Sequence, residues 1–579
     1  DELLTPRRHA PSLEDVETAR SGRAQRGFLD RGIIFQATIR GVGLRDARRG
    51  RAGRGGAVER GAPKVCSATP MRLRILLACA LGAAQELRLG DVNIVVTTDV
   101  HTWFSAHAHP DTQPETDADL GDVTSFVQRL RQINPGRDIY FFDNGDVVDG
   151  TGLGAEAAFD IMKMLPYDGM NCGNHELYSS ETVLESLAPF AGQVPYVTTN
   201  TLLDGAPLGR PFRIVEGNQS RLLVFGFIFN MWDHCGAVEV LDVETILESA
   251  DFADALSAFH SHRCDAIIVL AHMHYADPLV GGILLKIRSV LGNVAVQFLT
   301  GHSHMRAFKQ LDASSTTFEA GHYADTLGFI SLSRGKDAWS FAPTYIDMTR
   351  STLAQIVHAS VVNFTTTLGA SVRSAVSTAR LAAGLEERLG CGRGNYRLEA
   401  ALSERDSLWA LYLEKIAPAT ITKASNAWFV ASSGALRYDL YSGQITRGDV
   451  LTIVPFQDAL AVVHGIDADA LRNVLFQLNE GARRTMRTTL KETNATLHET
   501  RRPRFHASAK LPPYVATALA SGPLDAIFGG FDAPAVVAAI RSVTGQDVVT
   551  MPFSVAAAQY TDTQAWIDWA SSLPQPPCL

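Results

Sequence analysis

Five short clusters hold the residue types that could do chemistry: Asp99-Val100-His101, Gly145-Asp146-Val147-Val148-Asp149, Gly173-Asn174-His175-Glu176, His272, and Gly301-His302-Ser303-His304. In extended backbone, residues i and i+2 project to the same side. Asp99 with His101, and His302 with His304, can therefore each turn two donors toward one ion. A carboxylate such as Asp146 has two oxygens and can bridge two cations. The Asn174 amide oxygen can join such a set, with His175 facing whatever is bound. Imidazole combined with carboxylate oxygen suits divalent Zn, Mn, Fe or Co. Taken singly, each cluster is an ordinary polar stretch, and His274 competes with His272 for its place. The five in this order point to a metal centre.

The elements that must position them can be read from the apolar pattern. Residues 92–98, 139–142, 222–229, 266–271 and 294–299 read as short buried strands, being β-branched or continuously apolar. Residues 123–133, 155–164, 183–189 and 252–262 read as helices. Alternating strands and helices predict a layered α/β domain. Most of the clusters follow directly on a strand, where open α/β sheets place their ligands. From about residue 350 the texture changes to Ser, Thr and Ala at helical spacing, in residues 353–357 and 374–389. These helices are expected to lead into a second domain running to about residue 572. Residues 500–513 read as a surface loop, and no internal repeat is visible.

Composition bounds the rest. The formal net charge of the 579 residues is -9, but residues 1–70 carry 14 Lys and Arg against 8 Asp and Glu, which leaves -15 on the remainder. An acidic body does not suggest a nucleic-acid polymer as partner, and none is expected. A phosphate site in such a body must draw its positive charge locally, as from metal ions. Residues 1–70, rich in Arg, Gly and Ala, have little to bury and are expected to be a disordered extension. Met71-Arg72-Leu73-Arg74, the apolar run 75–81 and the small residues to Ala84 predict a signal peptide over 71–85, with cleavage near Ala84-Gln85. No later segment is long and apolar enough to span a membrane. The expected location is secreted, periplasmic or cell-wall, or vacuolar. Sequons at Asn218, Asn363 and Asn494 fit that route. Five cysteines follow the leader. An odd number leaves at least one free, for which Cys172 is the expected residue, with Cys235–Cys264 and Cys391–Cys578 as the expected pairs.

The five clusters, over roughly residues 91–345, resemble the calcineurin-like metallophosphoesterase family. That resemblance implies two divalent cations, one held by Asp99, His101, Asp146 and His304 and the other by Asp146, Asn174, His272 and His302, with Asp146 bridging. It also implies a layered αββα sandwich and hydrolysis by a hydroxide shared between metals about 3.5–4 Å apart. His175 would be the proton donor to the leaving group. Further on, Ser432-Ser433-Gly434-Ala435-Leu436-Arg437, Asp439, residues 443–450 and Ile453-Val454-Pro455-Phe456 resemble the smaller α+β C-terminal domain of 5'-nucleotidases. By that resemblance Arg437 binds the phosphate or ribose end and Phe456 stacks on the base, with Phe528 and Phe531 as candidates for a second stacking ring. The variants this sequence carries within these motifs resemble a fungal-type secreted or vacuolar branch of the family.

Three positions depart from the family pattern. Thr102 follows His101, where many 5'-nucleotidases have Gly. Tyr178 stands where bacterial members have the Asp that orients the histidine, which leaves Asp149 or a backbone carbonyl to hold His175. Ser432 and Ser433 replace the usual Asn and Gly. The leading expectation is a metal-dependent hydrolase of phosphomonoesters, nucleoside 5'-phosphates first. Two alternatives stay open: a phosphodiesterase or pyrophosphatase acting on cyclic nucleotides or nucleotide sugars, and a non-catalytic binding protein that keeps the fold. Domains are expected at 86–349 and 350–572.

Overall fold

The computed structural model describes residues 86–575 apart from 107–115, 337, 423–425, 458, 491–495, 498–513, 520–521 and 556–557, together with Pro577 and Cys578. The expected leader, the Arg-rich extension, Asn494 and the 500–513 loop lie outside the described residues.

Two sheets stack face to face. One runs Trp339–Asp347, Thr326–Arg334, Val92–Thr97, Asp138–Asp143, Gly169–Met170; the other runs Thr496–Leu497, Arg306–Asp312, Ser315–Ala320, Ala295–Thr300, Ala266–His272, Arg221–Ile228, Arg213–Glu216. Their facing sides share one core, formed by Val92, Ile94 and Val96 against Ala266, Ile268 and Leu270. The alternate residues Ile267 and Val269 face outward and pack on the helices Ala250–Ser261 and Pro278–Leu291. Val95 turns the other way, into the core beneath the helices Leu120–Ile133 and Ala155–Met162. Both faces of each central strand are thus covered, which is why these strands read as unbroken apolar runs rather than alternating ones. The result is the αββα sandwich expected from the sequence.

Val92–Thr97, Asp138–Asp143 and Gly169–Met170 are parallel to one another, as are Ala295–Thr300, Ala266–His272 and Arg221–Ile228. The carboxyl ends of both parallel sets converge on one edge of the sandwich. Residues 306–347, not read as strands, supply four more: Ser315–Ala320 runs parallel to Ala295–Thr300, while Arg306–Asp312, Thr326–Arg334 and Trp339–Asp347 pair antiparallel with their neighbours.

The second domain is built on a sheet in the order Tyr514–Ala516, Ala427–Ser432, Pro523–Gly529, Leu460–Asp467, Met551–Pro552. Phe429 and Ala431 enter one core, and Trp428 and Val430 the other. The helix expected over 374–389 is instead Thr367–Ala382, followed by the strand Arg388–Gly392. Gly384, at φ 66°, takes the left-handed conformation that stops a helix cheaply. Val372 and Val376 of that helix, with Leu353 of Arg350–Ile356, pack into the core of the first domain.

Cys391 and Cys578 form a disulfide across 187 residues, and Cys172 is a buried free thiol. Cys235 and Cys264 are both free, contrary to the expected pair. Cys264 is buried among Leu223, Phe259 and Ile267 on the outer face of the second sheet, whereas Cys235 packs against the opposite helical layer. Asn218 and Asn363 are both exposed. The disulfide closes the C-terminal helix Asp562–Ser571 onto Arg388–Gly392. Cys391→Ser should therefore lower stability by about 2–5 kcal/mol, as read from denaturant unfolding, and reductant should do the same to the unsubstituted protein.

Candidate metal centre

Each cluster sits in the loop that its strand runs into. Asp99 and His101 follow Val92–Thr97, Asp146 follows Asp138–Asp143, and Asn174 follows Gly169–Met170. His272 ends its own strand, and His302 and His304 follow Ala295–Thr300. Five of these residues hold left-handed backbone: Asp99 (φ 52°), His101 (44°), Asp146 (54°), His302 (70°) and His304 (58°), joined by the β-branched Thr102 (56°). Such conformations cost free energy in L-residues and persist where surrounding structure over-determines them. Two glycines let the loops close in. A Cβ on Gly173 would collide with the Asp146 carboxylate, and one on Gly301 with the Thr98 hydroxyl.

The side chains converge. Donor atoms of Asp99, His101, Asp146 and His304 all lie within 4.8 Å of one another, as do those of Asp146, His272 and His302. Asp146 belongs to both groups. Asn174 Oδ1 is 3.2 Å from His272 Nε2, and its Nδ2–H donates to the Tyr178 hydroxyl at 3.0 Å. That bond fixes which end of the amide faces the cluster. His101 and His272 give their Nδ1 sides to the carbonyls of Val148 (2.9 Å) and Asn144 (2.7 Å). Their Nε2 atoms, the ones a metal would use, then point inward. His101 Nε2 stands 3.2 Å from His304 Nε2. Imidazole nitrogens this close together, beside the buried Asp99 and Asp146 carboxylates, could be ligated by one cation lying between them. The donor set therefore fits divalent metal.

Electrostatics agree. Burial, reinforced by the neighbouring His175 and His304, holds His101 well below the ordinary histidine value. Burial and His272 push His302 down to about 3. Burial also works against charge on His272, but the Asp146 and Asp99 carboxylates outweigh it and raise it to about 10. Asp146 is itself buried, yet the charges of His272 and His175 hold it well below the carboxylate range.

Two buried carboxylates tie the loops together. Glu176 accepts the backbone N–H groups of Asp146, Val147, Val148 and Gly173 at 2.6–3.2 Å. Glu319, in the strand Ser315–Ala320, accepts the Ser303 hydroxyl (2.8 Å) and the Met305 N–H (3.0 Å). Sequence reading placed Glu176 in a motif without a role and missed Glu319, whose partners lie in another loop. His175 is adjacent, its Nδ1 at 3.0 Å from Asp149 Oδ2. This is one of the two supports the sequence left open.

A cleft of about 370 Å³ leads from Asp146, Asn174, His302 and His304 to Arg437 and Phe456 of the second domain. Phe456 lies 5.9 Å from the His175 ring, nearly parallel, with the Arg437 guanidinium 4.9 Å from its centroid. Phe531 lines the same cleft, while Phe528 is fully buried in the core and cannot meet a ligand.

Fold and cluster together define a metal-dependent phosphoester hydrolase. Residues 92–306 match the calcineurin-like phosphoesterase model, and residues 396–515 match the C-terminal domain of NAD nucleotidase. An uncharacterized protein of Saccharomyces cerevisiae is 30% identical over 414 residues, spanning 65% of this chain and 68% of its own. An Arthroderma benhamiae protein named "Secreted protein" is 24% identical, over 69% of this chain and 70% of its own. The crystal structure of 5'-nucleotidase from Candida albicans superposes with a TM-score of 0.73 at 22% identity, covering 84% of this chain and 99% of that one. The chain belongs to the calcineurin-like phosphoesterase family, in its two-domain form with a 5'-nucleotidase-type C-terminal domain. That family uses a dinuclear metal centre. Among the described residues no helix is long and apolar enough to cross a membrane.

Glu176→Ala would strip the acceptor from four buried N–H groups, each costing about 1–3 kcal/mol when unpaired. The variant should lose several kcal/mol of stability in denaturant titration and bind less metal per chain by elemental analysis.

Proposed function

We propose that one divalent cation is held by Asp99, His101, Asp146 and His304, and a second by Asp146, Asn174, His272 and His302. The observation that carries this is the membership of Asp146 in both donor groups. Bound cations supply Lewis-acid charge and a nucleophilic water at neutral pH.

The chain's own residues do the rest. Asn174 and Asp146 fix the donor geometry. His175 gives a proton to the departing alkoxide. Burial opposes its charge, but the carboxylates of Asp146 and Asp149 raise its affinity for a proton. Cations would neutralise Asp146, so Asp149 is the partner that goes on supporting the imidazolium during turnover. Arg437 lines the cleft, and its buried Nε has no hydrogen-bond partner among the described residues, so an anionic or hydroxyl-bearing ligand there would satisfy it.

The substrate we propose is a small phosphomonoester, a nucleoside 5'-phosphate first, with Arg437 on its phosphate or ribose end and Phe456 beside its base. The cleft shared by both domains supports this, as does the likeness to the Candida 5'-nucleotidase. A second reading, cleavage of a pyrophosphate or diester bond, draws on the match of residues 396–515 to NAD nucleotidase. A panel of nucleoside mono- and diphosphates, a dinucleotide and a cyclic nucleotide, assayed with Mn or Co, separates the two by kcat/KM. We also propose export through the 71–85 leader, and domains over 86–349 and 350–572 whose linking helices pack back on the first.

His175→Ala should lower kcat by about 10²–10⁴-fold with two metals still bound. Asp149→Asn should lower kcat less and leave metal content unchanged. In the metal-free protein His272 keeps its proton up to about pH 10, so loading at neutral pH must expel it. Apparent metal affinity should thus rise with pH, about tenfold per unit for each proton displaced, in calorimetric titrations from pH 6 to 8.

A further inference from the structure

A second groove, of about 720 Å³, opens at the edge of the sandwich and shares no lining residue with the metal-centre cleft. It lies by the edge strands of the two sheets, Gly169–Met170 and Arg213–Glu216. Tyr167 and Asp168, at the amino end of Gly169–Met170, line one side, whereas Asn174 and the metal centre lie beyond the carboxyl end of that strand. Arg210 and Arg213 line the groove as well.

The two arginines are held by their backbone but not matched at their heads. The Arg210 N–H donates to the Tyr196 carbonyl at 3.0 Å, and the Arg210 carbonyl accepts the Thr198 N–H at 2.9 Å. Arg213 pairs with Val224 in the neighbouring strand. Residues i and i+2 of a strand share a face. Arg213 therefore points with Val215 toward the core between the sheets, while Phe212 and Ile214 pack on the helical side. Its Nε is buried with no hydrogen-bond partner, and among the described residues no oxygen accepts a hydrogen bond from either guanidinium. A buried donor left unmatched calls for an explanation. The acids that line the groove are already met by other groups. Asp168 Oδ2 accepts Arg131 Nη2 at 2.6 Å and the Phe141 N–H at 2.8 Å, and Glu216 faces Arg221 Nε at 3.3 Å. Three guanidiniums, of Arg131, Arg210 and Arg213, against the one Asp168 carboxylate leave two positive charges here, in a chain whose net charge is -9. Burial and the charge of Arg210 hold Arg213 below the ordinary arginine value, with Asp168 opposing them.

We propose that Arg210 and Arg213 form a binding site for a phosphate dianion, separate from the metal centre, taking either free phosphate or the phosphate end of a small organic ester. Guanidinium forks match the oxygens of a phosphate and bind them more strongly than neutral donors do. A dianion would supply the acceptor that Arg213 Nε lacks and would offset two like charges placed together. The site uses no metal and no residue of the second domain. Its occupancy is therefore independent of what the metal centre hydrolyses.

The test is equilibrium dialysis of labelled inorganic phosphate against the metal-loaded full chain, unsubstituted and carrying Arg210→Gln with Arg213→Gln. The double variant should bind one phosphate fewer per chain and keep its hydrolytic activity in phosphate-free buffer. Arg210→Gln alone, at an exposed position, should weaken that site about tenfold or more, the factor that a hydrogen bond to a charged group is worth. This single variant decides the matter should the double one fail to fold. Methylphosphonate and phenylphosphonate, which are not hydrolysed, then identify the source. Displacement of the arginine-dependent phosphate by phenylphosphonate at about a tenth of the methylphosphonate concentration supports the site as one for an organic ester, and equal displacement supports it as one for free phosphate. Equal phosphate binding by the unsubstituted chain and the variants overturns the proposal. So does displacement of the arginine-dependent phosphate by chloride as readily as by sulfate, which would make the groove a charged surface and not a site.

Discussion

The arrangement depends on one carboxylate held under constraint. Asp146 sits at φ 54°, its Oδ1 accepts the His175 N–H at 2.9 Å, and its Oδ2 lies 3.2 Å from His272 Nε2 and 3.6 Å from His101 Nε2. A buried carboxylate in that position is costly unless positive charge meets it. The surrounding loops bring imidazoles from both sheets to it, and the left-handed turns at Asp99, His101, His302 and His304 keep them there. Backbone strain in five residues of one cluster is difficult to explain as packing. It follows directly if the donors are arranged for cations.

Glu176 and Glu319 show how the strain is sustained. Each is fully buried and each takes up N–H or O–H groups from a metal-centre loop. Burial, with the charge of Asp146, raises Glu176 to about 6, and burial with Asp99 holds Glu319 well above the carboxylate range. The same low-dielectric surroundings that strengthen hydrogen bonds to these carboxylates also make each unpaired group expensive. The loops are therefore held open to the cations and closed to alternative conformations. Asp149 plays the corresponding part for His175, in place of the residue that Tyr178 displaces. Tyr178 in turn orients the Asn174 amide.

Much of this was legible in the sequence. The central strands are covered on both faces, so they appear as apolar runs, and the clusters follow them at once. Five short clusters of distinctive residue types in a fixed order were enough to single out the side chains that converge into a group able to hold metal ions. What stayed hidden is tertiary. Ser315–Ala320 is buried throughout, yet it reads Ser-Thr-Thr-Phe-Glu-Ala, so nothing local marks it as a strand or Glu319 as a support. Cys235 and Cys264 could not be separated by spacing, because which layer covers each is a property of the packed sandwich. Helix 367–382 was displaced in the reading because Ser, Thr and Ala carry weak periodic signal.

The central claim is that two cations share Asp146. Anomalous diffraction from crystals of the Mn- or Zn-loaded protein tests it most directly. The account predicts two peaks about 3.5–4 Å apart, one on each side of the Asp146 carboxylate, with His101 and His304 on one and Asn174, His272 and His302 on the other. A single peak, or peaks that leave Asp146 uncoordinated, would contradict it.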